Sequence, residues 1–171
     1  MDELLSGRRE LLIAPLLAAL PLALASEPAR ADKLNPDWTI VRRPNEIKWQ
    51  SQAEFSQGVE MAPLFGSINE PGLYFILVKW HPGYMSAPHS YATDRLCVVV
   101  SGTWWVNSGA DFEPENTVPA PGGSFVRRVA RTWHYDGVKA DATEPAVIAI
   151  CGIGPVELQL VDPGSPGWRK V

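Results

Sequence analysis

The chain carries no excess of positive charge. Fifteen Lys and Arg stand against nineteen Asp and Glu, a formal net charge of -4. A nucleic-acid surface needs a clustered surplus of cations to meet the phosphates, so that function class is excluded. The one tight basic group, Arg127, Arg128 and Arg131, reads as a solvated strand edge. Outside the first thirty residues no segment shows an amphipathic helical period of useful length. Internal repeats, low-complexity tracts and a second domain boundary are also lacking. The longest apolar stretch, from Leu11 to Ala25, is interrupted by Pro15 and Pro21. It falls short of the roughly 20 residues that span a bilayer.

That stretch has a different meaning in its context. Arg8-Arg9 precedes it, and small-residue sites follow at Ala23-Leu24-Ala25 and Ala29-Arg30-Ala31, which is the order of a secretory signal. Gly7-Arg8-Arg9-Glu10-Leu11-Leu12 also resembles the twin-arginine export signal. The expectation is a signal peptide over residues 1–31 and a mildly acidic mature domain over residues 32–171. That domain is periplasmic or secreted, with no membrane attachment after cleavage. Its cysteines, Cys97 and Cys151, would meet an oxidising compartment that permits a disulfide. Both lie in apolar strand-like runs, where two buried, unbridged thiols are the simpler reading.

Sixteen Pro and fourteen Gly imply frequent turns, which suit many short strands. Strands are expected at Asp37–Val41, Pro44–Trp49, Gly58–Gly66, Leu73–Trp80, Leu96–Val100, Thr103–Val106, Gly122–Val126 and Ala146–Cys151. Residues Ser108–Ala120, rich in Gly, Asp, Glu, Asn and Pro, read as a loop. Short strands at regular spacing predict a single all-β domain, a sandwich or a barrel.

Histidine occurs only three times, at His81, His89 and His134. Gly83, His89, Tyr91, Arg95 and Gly102 are separated by five, one, three and six residues, and ten residues lie between Gly123 and His134. This spacing resembles the two motifs of the cupin superfamily, in which glycines bracket two histidines and a glutamate, and a later histidine completes the set. Pro82-Gly83, Pro88-His89, Val99-Val100-Ser101-Gly102-Thr103-Trp104 and Gly152-Ile153-Gly154-Pro155 are similar to bacterial exported cupins related to the ChrR-type domain. The likeness runs from about Trp38 to Val161. It implies a jelly-roll β-barrel with a single transition metal, iron, copper or zinc, and a general tendency to pair as homodimers.

Alternation on a strand turns His89 and Tyr91 to one face, and a later strand brings His134 to meet them. The departures from the family pattern are chemical. Tyr91 stands where the second histidine belongs, Arg95 at the glutamate position, and Val129 and Arg131 replace the Pro and Gly of the second motif. His89, Tyr91 and His134 are the candidate metal ligands, and a phenolate must first lose a proton with pKa near 10. Tyr91 and Arg95 are the candidate substrate-binding residues. Asp94 offers a carboxylate only if the strand start is irregular, and His81 reads as a turn or surface residue. Trp104, Trp105 and Trp133 read as core or rim packing able to close an apolar wall. Two functions remain open. One is a metal-dependent cupin acting on a small molecule, with Arg95 on a substrate carboxylate. The other is a metal-free binding or sensing module that clamps an anionic ligand with Tyr91 and Arg95.

Overall fold

A computed structural model describes residues 34–51 and 58–171. The expected signal segment over residues 1–31 lies outside the described residues. The chain divides into a unit ending at Arg42 and a unit from Arg43 to Val171. In the first unit the expected strand Asp37–Val41 does not form, and its start lies in a turn over residues 36–38. The carbonyl of Asn35 accepts the N–H groups of Trp38 and Thr39, and its side chain accepts that of Asp37. An Asx-type turn of this kind competes with extended pairing.

The second unit begins with another correction. Pro44–Glu46 is a 3-10 turn, because proline pre-sets the first helical φ and the Glu46 carboxylate accepts the Arg43 N–H at 2.6 Å. The expected strand Pro44–Trp49 forms no ladder, and pairing starts only at β1 (Gln50–Ser51). The other strands are β2 (Val59–Phe65), β3 (Gly72–Trp80), β4 (Tyr84–Ser86), β5 (His89–Tyr91), β6 (Arg95–Ser101) and β7 (Thr103–Ser108). They continue with β8 (Val118–Pro121), β9 (Phe125–Arg128), β10 (His134–Val138), β11 (Ala146–Gly154), β12 (Leu158–Leu160) and β13 (Trp168–Lys170). The segment Ser108–Ala120 is thus a loop only in part. Its end joins β8, which pairs antiparallel with β7.

Two antiparallel sheets form the jelly roll. One runs β1-β2-β3-β11-β6-β9, and the other runs β12-β5-β10-β4-β13, with β7 attached to β10 and β8 attached to β7. Side chains alternate along each strand, so Tyr74, Ile76, Val78 and Trp80 of β3 and Ala146, Ile148 and Ile150 of β11 fill the interior. Leu73 and Phe75 stay exposed on the outer face. The same alternation separates the cysteines. Cys97 is buried, Cys151 is half-buried, and both are free. Cys97 is opposite Ile150 and Cys151 opposite Leu96, which places the thiols on opposite faces of one sheet.

The bend between β6 and β7 depends on Gly102. Its φ of 71° lies in the left-handed region, and a Cβ there would come within 2.3 Å of the Pro145 carbonyl oxygen. This positions β7 to run back along β10.

Candidate functional site

The site is built where β5 meets β10. His89 is the direct cross-strand partner of His134. Both rings anchor themselves locally. The Nδ1–H of His89 donates to the Ala87 carbonyl at 2.8 Å, and that of His134 to the Thr132 carbonyl at 2.9 Å. A carbonyl only accepts, so each neutral ring keeps its proton on Nδ1 and leaves the Nε2 lone pair bare. The ring centroids are 4.4 Å apart. The Nε2 of His134 is buried with no hydrogen-bond partner.

Asp136, two residues after His134 on β10, faces the same side. The carboxylate of Asp136 and one nitrogen of each histidine lie within 4.8 Å of one another, all three residues being buried. The carboxylate is held firmly. Its Oδ1 accepts the Trp104 indole N–H at 3.0 Å and its Oδ2 accepts an Arg128 N–H at 3.0 Å. Its backbone N–H donates to Ser86 Oγ.

Burial sets the protonation states. Removal from water disfavours the charged form, so the His89 imidazole titrates below its usual value. Burial first, then the neighbouring His89 and Arg128, push His134 down to about 4. Both rings are therefore neutral near pH 7 and available as ligands. Burial raises the Tyr91 phenol above its ordinary value near 10, which keeps it protonated. The three donors, two imidazoles and a carboxylate, suit a first-row divalent cation. The unpartnered Nε2 of His134 is the buried polar atom that such an ion would satisfy.

All four residues singled out from the sequence line one cavity of about 450 Å³. Tyr91 stacks edge-on to His89 at 4.9 Å and tilts over His134 at 5.6 Å. The Arg95 guanidinium lies 4.2 Å from the Tyr91 ring centre. Apolar side chains from both sheets, with Trp104, complete the wall.

No protein-family model and no curated protein matches the chain. Solved structures do. The polyketide cyclase RemF from Streptomyces resistomycificus superimposes with a TM-score of 0.61 at 10% identity, covering 75% of this chain and 89% of that one. An RmlC-like cupin from Ralstonia eutropha gives 0.57 at 20% identity, with 78% and 76% covered. The DMSP lyase DddQ from Ruegeria pomeroyi gives 0.55 at 13% identity, with 70% and 63% covered. The chain has the cupin fold.

Within this fold some expectations are corrected. Asp94 does not turn inward. Its carboxylate accepts the Arg127 guanidinium and the Ala130 N–H on the outside, as strand alternation requires. Arg128 is no solvated edge residue: it is 8% exposed and paired with Asp136. Neighbours on a strand point to opposite faces, so with Arg127 outward Arg128 had to enter the barrel. His81 sits outside the cavity, bonded to Glu60 at 2.8 Å. Asp136 was missed in the sequence, although its two-residue spacing from His134 was the available signal. Arg131 has a φ of 58° at the motif's glycine position, and its N–H donates to the Tyr91 carbonyl at 2.7 Å. The backbone thus keeps the conformation that the motif's glycine would adopt freely, although the side chain is arginine.

Proposed function

We propose that this cupin is an exported small-molecule enzyme that holds one transition-metal ion on His89 and His134, with Asp136 as the third ligand. The observation that carries the reading is the triad itself: two neutral imidazoles, one with an unpartnered buried Nε2, beside a fixed carboxylate. Asp136 is preferred to Tyr91 as third ligand because its carboxylate lies within 4.8 Å of the two imidazole nitrogens, whereas burial opposes the phenolate. An ion of the iron, copper or zinc class, when bound there, supplies Lewis-acid polarisation of a ligand oxygen.

The protein's own groups divide the remaining work. Trp104 and Arg128 fix the carboxylate plane, Ala87 and Thr132 fix the rings, and such outer partners set ligand orientation. The neutral Tyr91 hydroxyl is placed to donate a hydrogen bond to a developing anion on the ligand. The apolar wall excludes water. The names of the similar structures, a cyclase and a lyase among them, agree with this class of chemistry without choosing a reaction. Export rests on the order of charge, apolar run and small residues in the first 31 positions.

Metal analysis of the purified protein tests the site. About one equivalent of metal is expected, lost in His89→Ala and in His134→Ala and retained in Tyr91→Phe. Retention after both histidines are removed would refute the site. A metal-free anion-binding module is the second reading, favoured by one observation: Arg128 already gives Asp136 a cation. Absence of metal under every loading condition would select it. Mass spectrometry of the exported protein tests the leader, and an intact Met1 end would refute it.

A further inference from the structure

Three cross-strand neighbours form a row on the inner face of one sheet: Tyr74 on β3, Gly152 on β11 and Arg95 on β6. The middle residue has no side chain, and the Tyr74 ring lies in the space that one would fill. A Cβ on Gly152 would sit 2.4 Å from the Tyr74 hydroxyl and 2.6 Å from Cζ. The phenol crosses the central strand through this gap and accepts the Arg95 Nε–H at 3.0 Å. Tyr74 itself is fully buried, so it has little freedom to move.

Arg95 is 8% exposed and lines the cavity, yet among the described residues it forms no ion pair. Asp94 is taken by Arg127 and Asp136 by Arg128. Among the described residues the charged groups on the cavity wall are Arg95, Arg128 and Asp136, two guanidiniums against one carboxylate. A buried cation without a counter-charge is costly, and a metal at the histidines would only add to the positive excess. The Nε–H is engaged by Tyr74, which leaves the two Nη groups as the fork that pairs with a planar carboxylate. Much of the remaining wall is apolar, including Met61, Val78, Ile148, Ile150 and Leu158.

We propose that the ligand of this cavity is a small monocarboxylate with an apolar body, that Arg95 receives its carboxylate, and that Tyr74, lying across Gly152, is the positioning residue that aims the guanidinium. The proposal rests on the cavity being a small-molecule site and is independent of the metal. Tyr91 covers the guanidinium face and keeps water from it.

The test is calorimetric titration of the full chain, metal-stripped and zinc-loaded, with hexanoate and its neutral counterpart hexanamide. Hexanoate is expected to bind at least tenfold more tightly than hexanamide in both metal states. Arg95→Gln should erase that preference and Arg95→Lys should restore part of it. Tyr74→Phe and Gly152→Ala should weaken hexanoate several-fold while leaving hexanamide unchanged, a split that general loss of structure would not produce. Tyr74→Phe keeps the ring volume and decides the matter if Arg95→Gln does not fold. Arg127→Gln, on the outer face, should have no effect. Equal affinity for the two probes, no binding of either, or a preference that survives Arg95→Gln overturns the proposal. A preference seen only with zinc and surviving Arg95→Gln would place the carboxylate on the metal, overturning this proposal while upholding the metal reading.

Discussion

Arg128 and Asp136 form an ion pair of 3.0 Å with both side chains about nine-tenths buried. The pair ties β9 to β10 across the cavity wall, and the Trp104 indole on β7 closes the other side of the carboxylate. Arg128 Nη1 also donates to the Asn107 carbonyl, so one guanidinium joins three strands.

Breaking such a pair from one side leaves a buried charge alone, which costs about 3–5 kcal/mol, whereas replacing both charges with apolar residues of similar volume is often near neutral. Asp136→Ala is therefore expected to lower unfolding stability by an amount in that range. Arg128→Met combined with Asp136→Leu should recover most of it. Chemical denaturation of the single and double variants checks this, and additive losses would contradict the pairing.

Arg131 has a different sensitivity. It is exposed and holds a φ of 58°, a conformation that costs an L-residue roughly 1 kcal/mol and glycine almost nothing. Arg131→Gly should raise stability by about 0.5–1 kcal/mol, in contrast to most glycine substitutions. A lower denaturation midpoint for the variant would show that the arginine side chain contributes a stabilising contact.

Burial pushes the Cys97 thiol up to about 11, and the thiolate is the reactive form. At pH 8 about one molecule in a thousand carries a Cys97 thiolate, by the tenfold change per pH unit. Iodoacetamide should leave Cys97 unlabelled in the native protein at pH 8 and label it on unfolding. The native labelling rate should climb about tenfold per unit until pH 11. Peptide mass mapping reads the outcome, and rapid native labelling at pH 8 would contradict the burial.

On the outer face Glu60 accepts His81 at 2.8 Å and Lys79 at 3.0 Å. The hydrogen bond from His81 is the first cause that holds its carboxyl below the usual value, outweighing the opposing effect of burial. A depressed folded pKa gives stability that is present above the unfolded value near 4.5 and is lost as pH falls through the folded value. Glu60→Gln should therefore cost stability at pH 7 but converge with the parent near pH 3. The pair is partly exposed, so the loss should be no more than about 1 kcal/mol. Denaturation at the two pH values measures the difference.

The sequence by itself determined the barrel and half of its site. Glycines at fixed distances from His89 and His134, with alternation carrying Tyr91 and Arg95 inward, depend on strand period and turn conformation, which are local properties. The two turns near Asn35 and Glu46 were misread because side-chain caps overruled extended propensity, a competition that composition does not reveal. Only the tertiary structure decided that Arg128 pairs with Asp136 and that, among the described residues, Arg95 has no carboxylate partner. Those facts depend on which strands are neighbours. His134 meets His89 through the β10–β5 pairing, and Tyr74 reaches Arg95 because β11 carries a glycine between them. Long-range strand order sets such contacts, and no spacing along the chain encodes it.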